Sequence, residues 1–497
     1  MSFASLTGPT IGDVIDRFAG AGAVTLIVGA GASMEALLPS WPALIRRLLH
    51  RVADEQPRLV DAEARSTWVE CTLGAEDLLA AGAMVEVMAR DEMGTLLVEE
   101  LFGPSGPASY EPGPTGHQVA HLRSAFGERL TILTTNYDDL IERALTASGM
   151  ARRDVRSYVR RRIPPPGAVA VTHLHGYAAR DQPPKQIVLT EEQYHRMQRG
   201  SSWQEQYVTE RLENSLCLFV GTSLTDPNLI RYLYGYKQSA ARPHAAIFVR
   251  QGQLDDLTDD VRAVREAAVS LRWRRCGVEA IFVDHYGDAA QLLYEIGFRR
   301  TAGESYAPVM ERAAASLRRI GDTVLLLNRT DADFAARQVA LSGWLRDTLY
   351  ETLRSAVGGD PPADERLALA LWLASEDGRT LTGWAHSDRA HQDPATIAAI
   401  PIRASSPWVA ARTVCQGVRV ERETVFEVSR WRFVRGLPLV LDRPSRLPIG
   451  CLTVSSTKGR EGTVLARMPA TAKAAFHDAL VAAIQPQLAL VAAGQAE

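Results

Sequence analysis

The stretch Arg129-Leu130-Thr131-Ile132-Leu133-Thr134-Thr135-Asn136-Tyr137-Asp138-Asp139 is an apolar, β-branched run that stops on a polar turn, and a helix over Leu140–Leu145 is expected directly after it. The pattern recurs. Val24–Val28 ends in Gly29-Ala30-Gly31-Ala32-Ser33, Val169–Val171 leads to His173-Leu174-His175-Gly176, and Ser215–Val220 ends at Gly221-Thr222-Ser223. Short continuous apolar runs suit strands covered on both faces, and their alternation with helices implies an α/β fold with a Rossmann-like parallel sheet and right-handed crossovers. Ligands of such sheets sit beyond the carboxyl ends of the strands. These four turns are therefore expected to form one nucleotide site.

Between the turns the chain reads as mostly helical. Ile11–Phe18 forms a lead-in helix, Trp41-Pro42 opens another over Ala43–Ala53, and residues 55–128 are helical apart from a Pro/Gly-rich break at Gly103–Gly116. Arg152–Pro166 reads as irregular, and Ile187-Val188-Leu189 as a strand end before a helix that is capped by Thr190 and contains Tyr194. Asp226-Pro227 has the signature of an N-cap followed by proline at the first helical position. Strands at Ala245–Val249 and Glu279–Val283 complete the sheet, and Asp284-His285-Tyr286-Gly287-Asp288 leads into a closing helix, Ala289–Ile296.

The pattern changes near residue 300. Helical stripes at Ala307–Ile320 and Phe334–Val357 precede strands at Leu367–Ser375 and Leu381–Ala385, with Asp377-Gly378 as a hairpin signal between them. A short helix, Pro407–Cys415, strands at Leu437–Leu441 and Ile449–Ser455, and a closing helix, Ala470–Ala493, make this half a smaller antiparallel α+β domain. The expected division is 1–300 for the parallel α/β domain, 301–332 for a helical connector and 333–497 for the second domain.

A hydrophobic content of 46% and a charged content of 23% fit a soluble globular protein, and a net charge of −3 gives no overall basic field for nucleic acid or anionic membrane. The runs Arg152-Arg153 and Arg160-Arg161-Arg162 read as solvated loop residues. Cys71, Cys217, Cys276, Cys415 and Cys451 stand singly, which argues against a disulfide framework and gives no zinc-knuckle spacing. Met1–Gly12 lacks a signal-peptide layout, and the apolar runs Ala21–Ala32 and Leu480–Ala493 are interrupted or too short to span a bilayer. A cytoplasmic location is expected.

Taken alone, several of these residues have a plain structural reading. The glycine turn is an incomplete dinucleotide fingerprint, with Met34 in place of the third glycine. Asn136 can cap its own helix, Asp138 can do the same, Ser33 can cap the helix after the glycines, and Asp226 is as good a helix cap as a ligand contact. His173 is read as structural, because it lies further from the crevice than His175.

Read together, the first 300 residues resemble the sirtuin superfamily, and more closely the bacterial sirtuin-like NAD-consuming domains of antiphage defence. The matching segments, in family order, are Gly29–Ser33, Thr134–Asp138, His173–Gly176, Leu189-Thr190-Glu191-Glu192-Gln193-Tyr194 and Gly221-Thr222-Ser223-Leu224-Thr225-Asp226-Pro227-Asn228. The resemblance implies NAD as substrate, held by Gly29, Ala30, Gly31, Ser33, Thr135, Gly221, Thr222, Ser223 and Asp226, with Tyr286 near adenine. It places Asn136 beside the nicotinamide ribose, makes His175 the general base and leaves Asp138 to orient Asn136 or the ribose. Protein-deacylating sirtuins carry a four-cysteine zinc module and usually a glutamine where this chain has Thr135, so no zinc is expected and hydrolysis of NAD itself is favoured. An NAD-dependent protein deacylase and a non-catalytic NAD- or ADP-ribose-binding module are the competing readings. Residues 333–497 resemble a GAF-type domain that would act as a sensor or in oligomerisation, with Arg403, Arg412, Trp384 and Trp408 as liners of a site for a small-molecule or nucleotide signal. The family resemblance also implies a homo-oligomer that depletes NAD in abortive antiviral defence.

Overall fold

The computed structural model describes residues 11–36, 38–103, 110–179, 183–197, 202–236, 243–250, 257–283, 286–302, 331–375, 380–393, 397, 399–402, 406–417, 419–424, 429–440 and 448–493. They fall into two compact units. The first holds the described residues up to Arg250, those from 257 to 283 and those from Leu292 to Ala302; the second holds Tyr286–Gln291 and everything from 331 onward.

Seven strands form the sheet of the first unit: β1 (Val24–Val28), β2 (Leu130–Thr134), β3 (Val155–Tyr158), β4 (Val169–His173), β5 (Leu216–Val220), β6 (His244–Val249) and β7 (Val278–Val283). Their order is β3-β4-β2-β1-β5-β6-β7, and every pairing is parallel. All five residues of β1 and of β5 are buried, as strands covered on both faces require. The register sets Val28 level with Thr134 on one side and Val220 on the other, so three turns leave the sheet at the same height. The chain goes from β1 to β2 on one flank and later returns to β5 on the other, which makes β1 the topological switch point where a crevice opens.

Helices build the walls. Trp41–Asp54 starts on Ser40, whose hydroxyl accepts from the Ala43 N–H, and it buries Leu44, Ile45, Leu48, Leu49 and Val52 on one stripe. That stripe shares a core with Val69, Val85, Leu96, Leu97 and Leu101 from the helices Ala62–Ala75, Leu78–Ala89 and Met93–Phe102. The expected break at Gly103–Gly116 is shorter than the composition suggested, because Pro114 takes the first position of the helix Pro114–Phe126. Two other expectations change. Val155–Tyr158, expected to be irregular, is an edge strand, and Ile187–Leu189 is not a strand but an extended approach to the helix Glu191–Arg196.

The second unit has six strands: β8 (Leu367–Ala374), β9 (Thr380–His386), β10 (Ala399–Pro401), β11 (Val420–Glu423), β12 (Phe433–Val440) and β13 (Pro448–Ser456). They form one antiparallel sheet in the order β10-β9-β8-β13-β12-β11, of which β10 and β11 were not anticipated. Strand alternation divides its faces. Leu367, Leu369, Leu371 and Leu373 of β8 pack with Leu345, Leu349 and Leu353 of the helix Asp331–Val357 and with Phe476, Leu480 and Ile484 of the helix Ala470–Ala493. Ala370 and Trp372 face the other way, towards Ala410, Ala411 and Val414 of the helix Val409–Gln416. The Asp377-Gly378 turn and the helix expected over Ala307–Ile320 lie outside the described residues. Among the described residues, no helix is long and apolar enough to cross a membrane.

One packing detail makes stability depend on pH. His244, at the start of β6, accepts the Cys217 N–H on Nδ1 at 3.1 Å and is 2% exposed. Burial, with a smaller contribution from Arg17, lowers its pKa to about 4. An unfolded imidazole titrates near 6.5, so at higher pH both states are neutral and stability is complete. Below that pH the unfolded chain takes up a proton that the folded chain refuses, and stability falls until about pH 4. The expected loss is of the order of 3 kcal/mol. A pH series of urea unfolding should show it, and His244→Gln should flatten that part of the curve.

Candidate functional site

Two glycine turns meet at the switch point. The Gly29 N–H donates to the Val220 carbonyl at 2.9 Å and the Gly31 N–H to the Gly221 carbonyl at 2.7 Å. A Cβ on Gly29 would come within 2.7 Å of the Gly221 oxygen, and one on Gly31 within 2.9 Å of it. Gly221 has φ of +66°, and a Cβ there would lie 2.7 Å from the Ala32 nitrogen. The glycines thus serve the approach of one backbone to another, and that approach fixes the floor of the crevice.

The β2 turn closes over this floor. Thr134 is fully buried; its hydroxyl donates to the Val28 carbonyl and accepts from the Asn136 N–H, both at 3.0 Å. Asn136 Nδ2 donates to the Gly29 carbonyl at 3.0 Å and to Ser33 Oγ at 2.6 Å, and Ser33 Oγ donates to Asp138 Oδ2 at 2.6 Å. Asp138 Oδ1 accepts from the Leu140 N–H at 3.1 Å, so this side chain both caps the helix Leu140–Ala147 and anchors the network. Burial pushes the Asp138 carboxyl up, against the lowering pull of the Ser33 and Leu140 hydrogen bonds. Asn136 is 7% exposed, and its Oδ1 is buried with no hydrogen-bond partner among the described residues. A buried amide oxygen left unpaired costs about 1–3 kcal/mol, which makes it an acceptor in need of a donor.

The two histidines of β4 part company because the strand ends at His173. His173 is fully buried, donating from Nδ1 to the Asn136 carbonyl at 2.8 Å and facing Glu142 Oε1 with Nε2 at 2.8 Å. Burial alone would lower its pKa, but Glu142, helped by the Asn136 carbonyl and Asp138, outweighs this and the net shift is upward. His175 lies beyond the strand, 6% exposed, with Nε2 3.4 Å from Asp226 Oδ2. Asp226 also accepts the Tyr194 hydroxyl at 2.7 Å, and its Oδ1 accepts the Leu229 N–H at 2.8 Å. It is therefore a helix cap and a partner of His175 at once. Burial, then Asp226, raises the Tyr194 pKa and keeps that hydroxyl protonated.

Part of the chain is similar to known proteins. The family model of the SIR2-like domain matches residues 130–281. The similarity to a SIR2-like domain is thus carried by β2 to β7 and their connections. The NAD(+) hydrolase ThsA of Acinetobacter baumannii (strain 532279) is 25% identical over 282 residues, 54% of this chain and 52% of that protein. An uncharacterized protein, y4cA, of Sinorhizobium fredii is 26% identical over 223 residues, 43% of this chain and 17% of that one. The chain thus spans about half the length of the first relative and less of the second. A crystal structure of a Sir2 homolog–NAD complex aligns with 59% of this chain and 97% of its own at 14% identity and a TM-score of 0.31.

In the first unit, Gly29, Ala30, Gly31, Ser33, Thr135, Asn136, Asp138, Gly221 and Thr222 belong to the turns at the ends of β1, β2 and β5, which main-chain bonds tie together. Ser223 follows on the surface, its hydroxyl 2.7 Å from that of Thr225. Tyr286, expected near adenine, groups with the second unit, where it packs against the Ala370–Trp372 cluster. Two buried acids escaped the sequence reading. Glu35 accepts from the Thr115 N–H at 2.8 Å and hydroxyl at 2.6 Å, holding the glycine turn to the first turn of the helix Pro114–Phe126, and burial raises its pKa to about 8. Nothing near Glu35 in sequence announces a partner 80 positions away. Glu142 was detectable, as an acid among Leu140, Ile141 and Leu145 on the buried face of its helix.

The Gly29–Gly221 contact can be tested directly. Gly221→Ala meets the left-handed backbone penalty of about 1–2 kcal/mol. Its methyl also meets the Ala32 nitrogen, which cannot retreat because its N–H is bonded to the Gly29 carbonyl at 3.1 Å. The urea midpoint should fall with an unchanged slope.

Proposed function

We propose that the SIR2-like domain binds NAD and hydrolyses its nicotinamide–ribose bond to give nicotinamide and ADP-ribose. The observation that carries this reading is the unpaired Asn136 Oδ1, buried in a turn at the switch-point crevice, whose amide nitrogen is already held by Gly29 and Ser33. A rigid acceptor of this kind suits a ribose hydroxyl or an attacking water.

In the proposed reaction the bond from the ribose carbon to the nicotinamide nitrogen breaks, its electron pair returning to the ring, which leaves neutral. Water supplies the new carbon–oxygen bond and loses a proton. The leaving group starts as a cation, so the enzyme must mainly position groups and stabilise a cation-like sugar. Asn136 would hold the ribose and the water. His175 would take the water's proton: with Nε2 turned to Asp226, Nδ1 is the nitrogen left to accept it. Asp138 and Ser33 would hold the Asn136 amide in one rotamer. The glycine turns would bring backbone close to the pyrophosphate, with Thr222 and Ser223 towards the adenosine ribose. The similarity to the NAD(+) hydrolase of Acinetobacter baumannii supports hydrolysis of NAD over deacylation of a peptide. In the same reading the protein is a cytoplasmic effector of antiphage defence that depletes NAD, assembles as a homo-oligomer and carries its sensor in the GAF-like second unit.

The test is nicotinamide release from NAD by the purified full-length chain beside Asn136→Ala and His175→Ala. At least a hundredfold loss in each variant, with thermal unfolding unchanged within a few degrees, is expected. Release that survives in Asn136→Ala would remove the proposed centre.

A further inference from the structure

The second unit contains a cavity of about 900 Å³ on the face of its sheet that Trp372 occupies, opposite the leucine-rich core. Alternation along the strands explains its lining. Trp372 of β8, Val434 of β12 and Thr453 and Ser455 of β13 point into it, while Leu371, Phe433 and Val454 point to the other face. The helix Val409–Gln416 and the approach to it, with Trp408, form one wall.

One indole here is fixed and buried, and a second beside it is exposed. Trp372 Nε1 donates to Thr453 Oγ1 at 2.9 Å, which locks the indole in place. The Trp408 ring lies 6.1 Å from it at 52°, and Trp408 is 45% exposed. A third indole, Trp431, also lines the space. Leaving an indole in water forgoes burial worth a few kcal/mol, so this surface suits a planar apolar ligand.

The charged groups complement that. Arg389, exposed beside His386, donates to its Nε2 at 3.2 Å and makes no ion pair with any carboxylate among the described residues. His386 is buried, edge-on to Trp372 at 6.0 Å, and burial followed by the charges of Arg389 and His391 lowers its pKa to about 4. The imidazole is therefore uncharged near neutral pH, and its Nε2 accepts from Arg389 without neutralising it. Arg422, on β11, reaches only the Pro407 carbonyl among the described residues, at 3.4 Å, whereas Arg430 is neutralised by Asp388. Two guanidinium groups with no carboxylate partner among the described residues thus border a cavity walled by indoles; the cavity's own carboxylates, Asp388 and Glu423, are engaged by Arg430 and by the Arg460 N–H.

We propose that this cavity binds a purine mononucleotide, its base against Trp372 and Trp408 and its phosphate on Arg389 and Arg422. The volume lies within the range of small-ligand sites, about 300–1,000 Å³. Stacking of a base on an aromatic ring is worth about 1–3 kcal/mol, and guanidinium is the side chain best matched to phosphate. The site is independent of the SIR2-like domain, and each proposal stands or falls separately.

The experiment is calorimetric titration of the full-length chain with AMP, GMP and 3′,5′-cyclic AMP, beside adenosine, inorganic phosphate and indole-3-acetate. Trp408→Ala and Arg389→Gln change exposed side chains and should leave thermal unfolding unaltered. At least one nucleotide should bind saturably. Each cavity variant should weaken it tenfold or more, while Asn136→Ala leaves that binding unchanged. Adenosine and phosphate alone should each bind at least tenfold more weakly than the nucleotide. Nucleotide binding that is absent, or indifferent to both cavity variants, would overturn the proposal; so would indole-3-acetate or free phosphate binding as tightly as the nucleotide.

Discussion

Gly29 and Gly221 approach until neither has room for a Cβ, and the rest of the crevice is arranged around that contact. It lies where the sheet changes direction, between β1 and β5, and it ties the two turns through the Gly31 N–H and the Gly221 carbonyl. A bulkier residue at either position would push the β5 turn away from β1 and carry Thr222 and Asp226 with it. The Gly29 carbonyl, held in place by this contact, then receives the Asn136 amide. Backbone packing therefore decides side-chain geometry three strands wide, from Asp138 to Asp226.

Glycine in this turn thus has a second explanation besides closeness to a phosphate. Gly29-Ala30-Gly31 is an incomplete dinucleotide fingerprint, and tight strand-end packing alone demands both of its glycines. What points to a ligand is the neighbouring amide. The Asn136 amide nitrogen is satisfied within the fold by the Gly29 carbonyl and Ser33, whereas its buried Oδ1 has no partner among the described residues and costs about 1–3 kcal/mol until a donor reaches it.

Legibility followed the range of the interaction. Strands buried on both faces announce themselves as apolar runs, and caps such as Asp226-Pro227 are set by neighbours three residues apart, so β1, β2, β5 and their helices could be placed closely. β3 could not: Val155-Arg156-Ser157-Tyr158 is an edge strand with no fully buried residue, and its residues resemble those of a loop. Ile187-Val188-Leu189 misled for the opposite reason. Those residues are apolar because they pack under the helix Leu78–Ala89 and against Tyr137 and Tyr194, and their backbone pairs with no strand. In the second unit Trp384, named as a cavity liner, turns to the leucine core, while Arg412 bonds the Ser406 carbonyl at 2.8 Å; Trp408 alone of the described candidates lines the cavity, and Arg403 lies outside them. A bulge between Leu371 and Trp372 shifts the register of β8 against β9, and no periodicity in sequence reveals it.

The paired histidines illustrate how one dipeptide spacing yields two environments. His173 is the last residue of β4 and still points where strand alternation sends it, into the interior behind the Asn136 turn. There Glu142 stabilises its charged form, and the imidazole braces the Asn136 carbonyl. His175 has left the strand and meets Asp226 from a different strand end. Each histidine thus has its own carboxylate, Glu142 for His173 and Asp226 for His175, and His173 is the one bonded to the main chain of the Asn136 turn. The division follows from where the β-ladder stops. Had β4 continued through His175, alternation would have sent both rings to the same face, and one of them would have lacked a partner.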